Sequence, residues 1–189
     1  LADGYFVLPY TIGDYLADDI RTGPISTDTP EFEAAEQSVR TQIDALLTNK
    51  GTKTVDYFHR KLGKIIWNKC GMSRNEKGLK EAMTQVKALR EEFYKDVFVP
   101  GTADSFNEPL AKALRVADFL ELGELFAKDA LERTESCGGH FREESQSPEG
   151  EALRDDKNFT FVSAWEYKGE PSDAKLHKEA LKYENIELK

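Results

Sequence analysis

Apolar residues recur at steps of three and four through three consecutive segments between Val55 and Arg133, and this periodicity constrains the fold more than any other feature of the sequence. Each segment predicts an amphipathic helix whose apolar stripe needs a neighbour. The connections are roughly ten residues or fewer, which favours antiparallel packing. The middle segment carries the most regular stripe, which consists of Leu79, Met83, Val86, Leu89, Phe93 and Val97. The sequence therefore predicts a helical bundle.

A fourth amphipathic stretch precedes these three. It begins at Pro30, a residue suited to the first position of a helix, with Asp28 or Thr29 as the capping residue. The predicted fold class is mainly α: an antiparallel three- to four-helix bundle, similar to a spectrin repeat, with a small C-terminal β-hairpin. The predicted core draws on all three central helices and includes Leu62, Ile66, Met83, Val86, Leu114 and Leu125.

The residues on either side of the bundle differ from it in composition. Leu1 to Ile20 is apolar on nearly every side and is interrupted by Pro9, so it predicts a kinked or split helix that packs against another surface. Thr134 to Lys157 is polar, and a connection of roughly two dozen residues is usually functional, docked or disordered. We therefore divide the chain into residues 1–29, a bundle at 30–134, and a polar loop with a hairpin tail at 135–189.

The predicted hairpin lies at the C-terminal end. Asn158 to Tyr167 is rich in β-branched and aromatic residues, and Leu181 to Leu188 alternates in polarity, which is typical of two strands. Gly169 to Asp173 supplies the turn residues between them. A short helix from His177 to Tyr183 is the alternative for the second strand.

Composition argues against several classes of function. The net charge of −9 disfavours binding to nucleic acid or to an anionic membrane surface. No uninterrupted apolar stretch reaches about 18 residues, so we expect no direct membrane insertion. The chain has 2 cysteines and no signal-peptide pattern at its start, which indicates reduced thiols in a cytoplasmic setting.

The residues alone predict no catalytic, cofactor-binding or metal site. Cys137 and His140 could supply two zinc ligands or a thiol with its base, but a structural zinc site needs a second pair of ligands. The acidic pair Glu143–Glu144 lies in the polar loop, where solvated charge is the simpler interpretation. The glycine-rich signatures that bind phosphate and the nucleophile elbow are absent.

The stretch from Asn107 to Arg142 resembles the C-terminal helical region of the flavoprotein subunits of succinate dehydrogenase and fumarate reductase. Those proteins end their last long helix with Glu-Ser-Arg-Gly-x-His-x-Arg-Glu-Asp. This chain matches that pattern at Glu135, Ser136, Gly138, His140, Arg142 and Glu143. Arg154 to Asn158 is similar to the segment before the family's terminal strands, and Leu1 to Phe6 to the helix after its flavin- and substrate-binding segment. Cys137 stands where the family has Arg, which leaves related flavoproteins such as L-aspartate oxidase as an alternative.

The resemblance implies a role within a larger enzyme. The whole subunit would use FAD to interconvert succinate and fumarate, and would pass electrons to an iron–sulfur subunit and then to quinone through a membrane cytochrome b anchor. Such a complex lies at the cytoplasmic, inner face of the cell membrane. The family's catalytic and flavin-binding residues precede the position of Leu1, so this segment is expected to be structural.

The resemblance also implies where the segment docks. Residues 1–29 would belong to the flavin-binding domain, and the rest would pack on the flavin-binding and capping domains of the same polypeptide. The expected docking residues are Ser136, Gly138, His140 and Arg142. The alternative from a different class is an independent helical protein-interaction module.

Overall fold

The computed structural model describes residues 1–185, which divide into two compact units on either side of the Thr41–Gln42 bond. The first unit is an irregular helical stretch. It comprises a π-helix at Asp3–Val7, α1 at Leu8–Tyr10, a second π-helix at Thr11–Tyr15, α2 at Ala17–Ile20, and the greater part of α3 at Pro30–Thr48. The wide π turns flank Pro9, which has no N–H to donate to a regular helix. The predicted domain boundaries after residues 29 and 134 stay predictions.

The second unit contains the end of α3 and the three helices that the sequence predicts. These are α4 at Val55–Lys69, α5 at Glu76–Asp96 and α6 at Glu108–Glu132. Each begins behind a side chain that accepts a backbone hydrogen bond from the first turn. The capping residues are Thr54, Asn75 and Asn107. Polar caps thus set the start of α4, α5 and α6.

Consecutive helices of the bundle run antiparallel. The start of α4 meets the end of α5, where β1 (Lys53–Thr54) pairs with β2 (Val97–Phe98) in a short parallel ladder. Gly51 permits this approach, because a Cβ there would lie 2.2 Å from the backbone carbonyl of Asp96. The start of α5 meets the end of α6, where the Arg74 guanidinium lies 5.1 Å from the centre of the Phe126 ring. The predicted antiparallel bundle is confirmed, whereas the β1–β2 ladder was not predicted.

The bundle core is built mainly from the predicted stripes of α4 and α5. Its largest fully buried side chains are apolar apart from one: Phe58, Phe93, Leu79, Leu89, Leu120, Glu124, Val86, Val97 and Val116. Of the predicted core residues, Leu62 and Val86 are buried, and Ile66, Met83 and Leu114 pack at the margin of the core. The prediction was wrong for Leu125, which is half-buried outside the core cluster.

The register of α6 explains that error. Its buried face consists of Leu110, Ala113, Val116, Leu120, Glu124, Ala127 and Ala130. Glu124 occupies a core position because Arg90 of α5 pairs with it, and this turns Phe119 and Leu122 outward. A buried carboxylate is hard to predict from periodicity, since charged residues normally mark the exposed face.

The C-terminal hairpin forms, but its second strand lies earlier than predicted. Strand β3 (Phe161–Glu166) pairs antiparallel with β4 (Lys175–Ala180), in the register Phe161↔Ala180 to Glu166↔Lys175. A short helix, α7 (Asp156–Phe159), delays the first strand, and a single 3-10 turn at Pro171–Asp173 returns the chain early. The strand at Leu181–Leu188 and the helix at His177–Tyr183 were therefore wrong, although residues 186–188 lie outside the described residues.

Candidate functional site

The residues that carry the family resemblance form a compact turn against the end of α6. We call residues 135–145 the motif segment. Arg142 is its centre and is only 2% exposed. Its Nη1 donates to the carbonyl oxygens of Ala130 (3.1 Å), Leu131 (3.2 Å) and Arg133 (3.3 Å), and its Nε donates to Glu144 (3.1 Å). The last carbonyls of a helix have no hydrogen-bond partner within it, so a cation placed at them supplies the missing donor and complements the helix dipole.

Ser136 closes the motif segment into a turn. Its buried hydroxyl accepts a hydrogen bond from the backbone N–H of Arg142 at 2.8 Å and donates to the carbonyl of the same residue at 3.2 Å. Inside this closure, Cys137 and His140 exchange two backbone hydrogen bonds of 2.8 and 3.0 Å. Gly138 adopts the left-handed conformation, with φ of 58°, that the tight reversal requires. The exposed tip of the turn is thus held on a buried base.

His140 bridges the ends of two helices. Its Nε2 lies 2.8 Å from the carbonyl oxygen of Arg133, so Nε2 carries the proton and donates it. Its Nδ1 is then the acceptor for Nη1 of Arg74, also at 2.8 Å. Burial lowers the pKa of His140 below its ordinary value. The hydrogen bond to the Arg133 carbonyl opposes this effect, and the positive charges of Arg74, Arg142 and Arg133 add to it. His140 is therefore neutral with a defined tautomer.

The acidic pair of the polar loop binds the start of α5. Glu143 accepts hydrogen bonds from the Ser73 hydroxyl at 2.9 Å and from the Asn75 amide at 2.8 Å. Glu144 accepts a hydrogen bond of 2.6 Å from the backbone N–H of Glu76, the first residue of α5. A carboxylate at a helix N-terminus is stabilised by the helix dipole. These two residues join the motif segment to α5 and are not arranged as an acid–base pair.

Glu135 links the motif segment to the second stretch of family resemblance. It is 3% exposed, and it accepts hydrogen bonds from Arg133 at 2.6 Å and from the backbone N–H of Asp155 at 2.7 Å. The Arg133 guanidinium also lies over the rings of Phe159 and Phe161, at 5.3 and 5.2 Å from their centres. Both matched stretches therefore meet at the end of α6.

Lys128 and Trp165 hold the hairpin on α6. The ammonium of Lys128 donates to three backbone carbonyls in the turn before β4, those of Pro171 (3.1 Å), Ser172 (2.8 Å) and Ala174 (2.8 Å). The indole N–H of Trp165 donates to Asp129 at 2.7 Å. Sequence reasoning missed these contacts, because a lysine on a helix surface carries no local sign that carbonyls will surround it.

A buried ion pair inside the bundle was also missed. Glu124 is 1% exposed, and its carboxylate lies 3.1 Å from Nη2 of Arg90, which also contacts Glu170. Burial raises the pKa of Glu124, and the charge of Arg90 opposes that rise. The only sequence signal was an acidic residue within the apolar stripe of α6.

An open apolar groove lies between α4, α6 and the hairpin. Its volume is about 610 Å³, and its principal lining residues are Leu62, Ile66, Phe119, Leu122, Phe126 and Trp165. Leu122 is 60% exposed, and Phe119 and Phe126 are 42% and 47% exposed. So many large apolar side chains around one concavity indicate a binding surface.

The remaining candidate residues form no reactive cluster. Cys70 is buried, which raises the pKa of its thiol, and Cys137 is half-buried in the motif turn. Among residues 1–185, no group of three or more His, Cys, Asp or Glu side chains is arranged to hold a metal ion. In the same part of the chain, every buried side-chain nitrogen or oxygen has a hydrogen-bond partner. No helix of the described residues has the length and apolarity to cross a membrane.

Comparison with known proteins places this architecture in a family. Residues 59–189 match the family described as fumarate reductase flavoprotein C-term. The fumarate reductase flavoprotein subunit of Helicobacter pylori strain 26695 is 30% identical over 131 residues. That match covers 69% of this chain and 18% of the Helicobacter protein, so the chain spans about a fifth of its relative's length.

Solved structures show the same fold. A mutant Escherichia coli quinol fumarate reductase aligns with a TM-score of 0.70 at 20% identity, over 93% of this chain and 29% of the other. Adenylylsulfate reductase from Archaeoglobus fulgidus aligns with a TM-score of 0.64 at 14% identity, over 89% of this chain and 27% of the other. The similarity to the Archaeoglobus protein means that this fold accompanies more than one substrate.

The family match covers the bundle from within α4, the motif segment and the hairpin. The resemblance seen in the sequence is thereby confirmed. This chain belongs to the fumarate reductase flavoprotein C-terminal family, a family of oxidoreductase flavoproteins.

Proposed function

We propose that this chain is the noncatalytic C-terminal part of an FAD-dependent flavoprotein subunit that interconverts succinate and fumarate. The observation that carries the proposal is the family match over residues 59–189. The internal use of the motif residues supports a structural role. Ser136, His140 and Arg142 hold the motif turn on α6, so their polar groups are not free for a reacting substrate.

The residues of this chain do not fit a flavin-binding site. The sequence has no Gly-x-Gly-x-x-Gly segment, and the strands of residues 1–185 form only two-stranded sheets. We therefore assign FAD and the redox chemistry to a part of the subunit outside this chain. The further partners of that subunit are an iron–sulfur subunit and a membrane cytochrome b anchor at the inner face of the cell membrane.

Two surfaces are proposed to dock on the flavin-binding and capping domains. One is the apolar groove, whose exposed Leu122 and Phe126 need a cover. The other is the tip of the motif turn, where Gly138 is exposed. In this proposal Ser136, His140 and Arg142 position the tip rather than contact the neighbour themselves.

The groove proposal is tested by Leu122→Asp in the longer protein that contains this segment. A carboxylate buried in an apolar contact costs several kcal/mol, so this variant should lose flavin during purification. Met72→Asp is the matched control, because Met72 is 90% exposed and does not line the groove. Equal flavin retention in the two variants would contradict docking through the groove.

The reaction itself is tested on the same longer protein without substitution. Fumarate reduction by a reduced dye, and succinate oxidation in the opposite direction, should both be measurable with bound flavin. Flavin binding without either activity would exclude this substrate pair. It would then indicate that the longer protein acts on a different substrate, since adenylylsulfate reductase has the same fold and a different name and substrate.

A further inference from the structure

His140 joins the start of α5 to the end of α6 through both of its ring nitrogens. On the α5 side, Arg74 donates to Nδ1, and two backbone hydrogen bonds run alongside: Arg74 N–H to Phe141 O at 3.0 Å and Glu143 N–H to Arg74 O at 2.8 Å. On the α6 side, Nε2–H donates to the carbonyl of Arg133. This bridge exists only while Nδ1 is unprotonated, because Arg74 has donors and no acceptor.

The charges that face His140 all oppose a proton on it. Arg74 approaches from the start of α5, Arg133 from the end of α6, and Arg142 from the motif segment itself. The neighbouring carboxylates are bound to other donors: Glu135 to Arg133, Glu143 to Ser73 and Asn75, and Glu144 to Arg142 and Glu76. The only other titratable group of the turn is the Cys137 thiol. Among residues 1–185, no carboxylate is therefore placed to stabilise a charged imidazole.

We propose that His140 is an acid-sensitive latch: when a proton binds to Nδ1, the attachment of the motif segment to the start of α5 is weakened, and the remaining hydrogen bonds of Glu143, Glu144 and the backbone open more often. The added proton would face an N–H of Arg74 at a separation of 2.8 Å between nitrogens, so that hydrogen bond is lost and two positive charges repel. The bond from Nε2–H to Arg133 survives, so the segment stays on α6. The latch concerns this chain alone and does not depend on the proposed function.

The sign of the pH dependence follows from the lowered pKa of His140. We call the motif segment closed when Arg74 is hydrogen-bonded to Nδ1 of His140, and open when that bond is lost. In the open state His140 binds the proton at an ordinary pKa near 6.5, whereas in the closed state it binds the proton only at a lower pH. The closed state is therefore fully stabilised above pH 6.5 and loses stability as the pH falls below that value. Since one proton is involved, the open fraction rises by at most about tenfold for each unit of pH.

Nuclear magnetic resonance on the 15N-labelled chain tests the latch. At neutral pH we expect His140 to carry its proton on Nε2, and to titrate below 6.5. Hydrogen exchange at the amides of Arg74 and Glu143, corrected for intrinsic rates, should accelerate as His140 titrates. A proton on Nδ1 at neutral pH, a pKa of His140 at or above 6.5, or exchange that ignores its titration would overturn the proposal.

Three variants separate the latch from general acid instability. His140→Gln should remove the pH dependence of exchange between neutral pH and pH 5. His177→Gln should keep it, because His177 is exposed and pairs with Glu166 in the hairpin. If His140→Gln does not fold, Arg74→Met serves instead and should raise the pKa of His140 toward its ordinary value. An unchanged pKa in that variant, or retained acid dependence in His140→Gln, would contradict the latch.

Discussion

Replacing Arg142 with Ala tests whether the contacts of the motif segment with the end of α6 stabilise the fold. In the native chain, Nη1 of Arg142 serves three carbonyls at the end of α6, and the side chain is almost completely buried. The substitution leaves those carbonyls without their donor and removes the hydrogen bond from Nε to Glu144. Only water molecules that enter the site could then donate hydrogen bonds to these carbonyls.

The expected loss follows from the number of hydrogen bonds. Nη1 has two N–H groups to share among three acceptors, so at most two full bonds are lost there. Each hydrogen bond to a charged group contributes about 1.5–3 kcal/mol, and the relieved desolvation of the buried cation offsets part of the sum. We therefore expect Arg142→Ala to lower the free energy of unfolding by about 2–4 kcal/mol.

Urea unfolding of the 189-residue chain, followed by far-ultraviolet circular dichroism, measures this loss. Arg154→Ala is the matched control, because Arg154 is 54% exposed and pairs with Asp156 on the surface. Such a pair contributes about 0–1 kcal/mol. Arg142→Lys should recover only part of the stability, since an ammonium cannot reproduce the planar fork. If Arg142→Ala lowers the free energy of unfolding no more than Arg154→Ala does, Arg142 does not stabilise the end of α6.

Two further predictions concern the bundle and the hairpin. Leu120→Ala, at a fully buried position, should lower the free energy of unfolding by about 2–5 kcal/mol, and Leu114→Ala, at the margin of the core, should lower it by less. Equal losses in urea unfolding would contradict the observed register of α6. Lys128→Met should free the turn before β4 and speed limited proteolysis there without loss of helical circular dichroism. Lys178→Met should not, because it removes a surface pair with Glu132 and a contact with the Phe161 ring but no hydrogen bond to that turn. Equal proteolysis of both lysine variants would contradict the role of Lys128.

The helices were predictable because their signals are local. The stripe that begins at Leu79 runs along α5 to its C-cap at Val97, and the cap at Asn107 directly precedes α6; the structure confirms both. The register of α6 was not predictable in the same way. Glu124 is buried only because Arg90, on another helix, neutralises it, and no window of α6 alone contains that information.

The motif segment shows the same limit. The resemblance identified Ser136, Gly138, His140 and Arg142 as a group, and the structure brings them into one turn. Their partners lie far along the chain, as with Arg74, or are backbone carbonyls of α6, which any sequence provides. Sequence patterns therefore named the residues but not the contacts. Docking through this group stays a prediction, in which the exposed Gly138 would make the contact and the other three residues would position it.

The prediction of the second hairpin strand was wrong for a physical reason. Alternation in Leu181 to Leu188 suggested a strand, but the position of β4 depends on the length of the turn that precedes it. The Pro171–Asp173 turn is short, and Lys128 holds it by its carbonyls, so pairing already begins at Lys175. Tertiary contacts thus decided which alternating stretch became the strand.

The flavin content of the purified 189-residue chain decides whether FAD binds to this segment or elsewhere in the subunit. We expect a colourless protein with a helical circular dichroism spectrum. After reconstitution with excess FAD and removal of the unbound cofactor, it should show no visible flavin absorbance and no fumarate reduction by a reduced dye. This follows from the absence of a phosphate-binding glycine turn and from the structural engagement of the motif residues. A yellow protein with stoichiometric flavin and measurable turnover would contradict it.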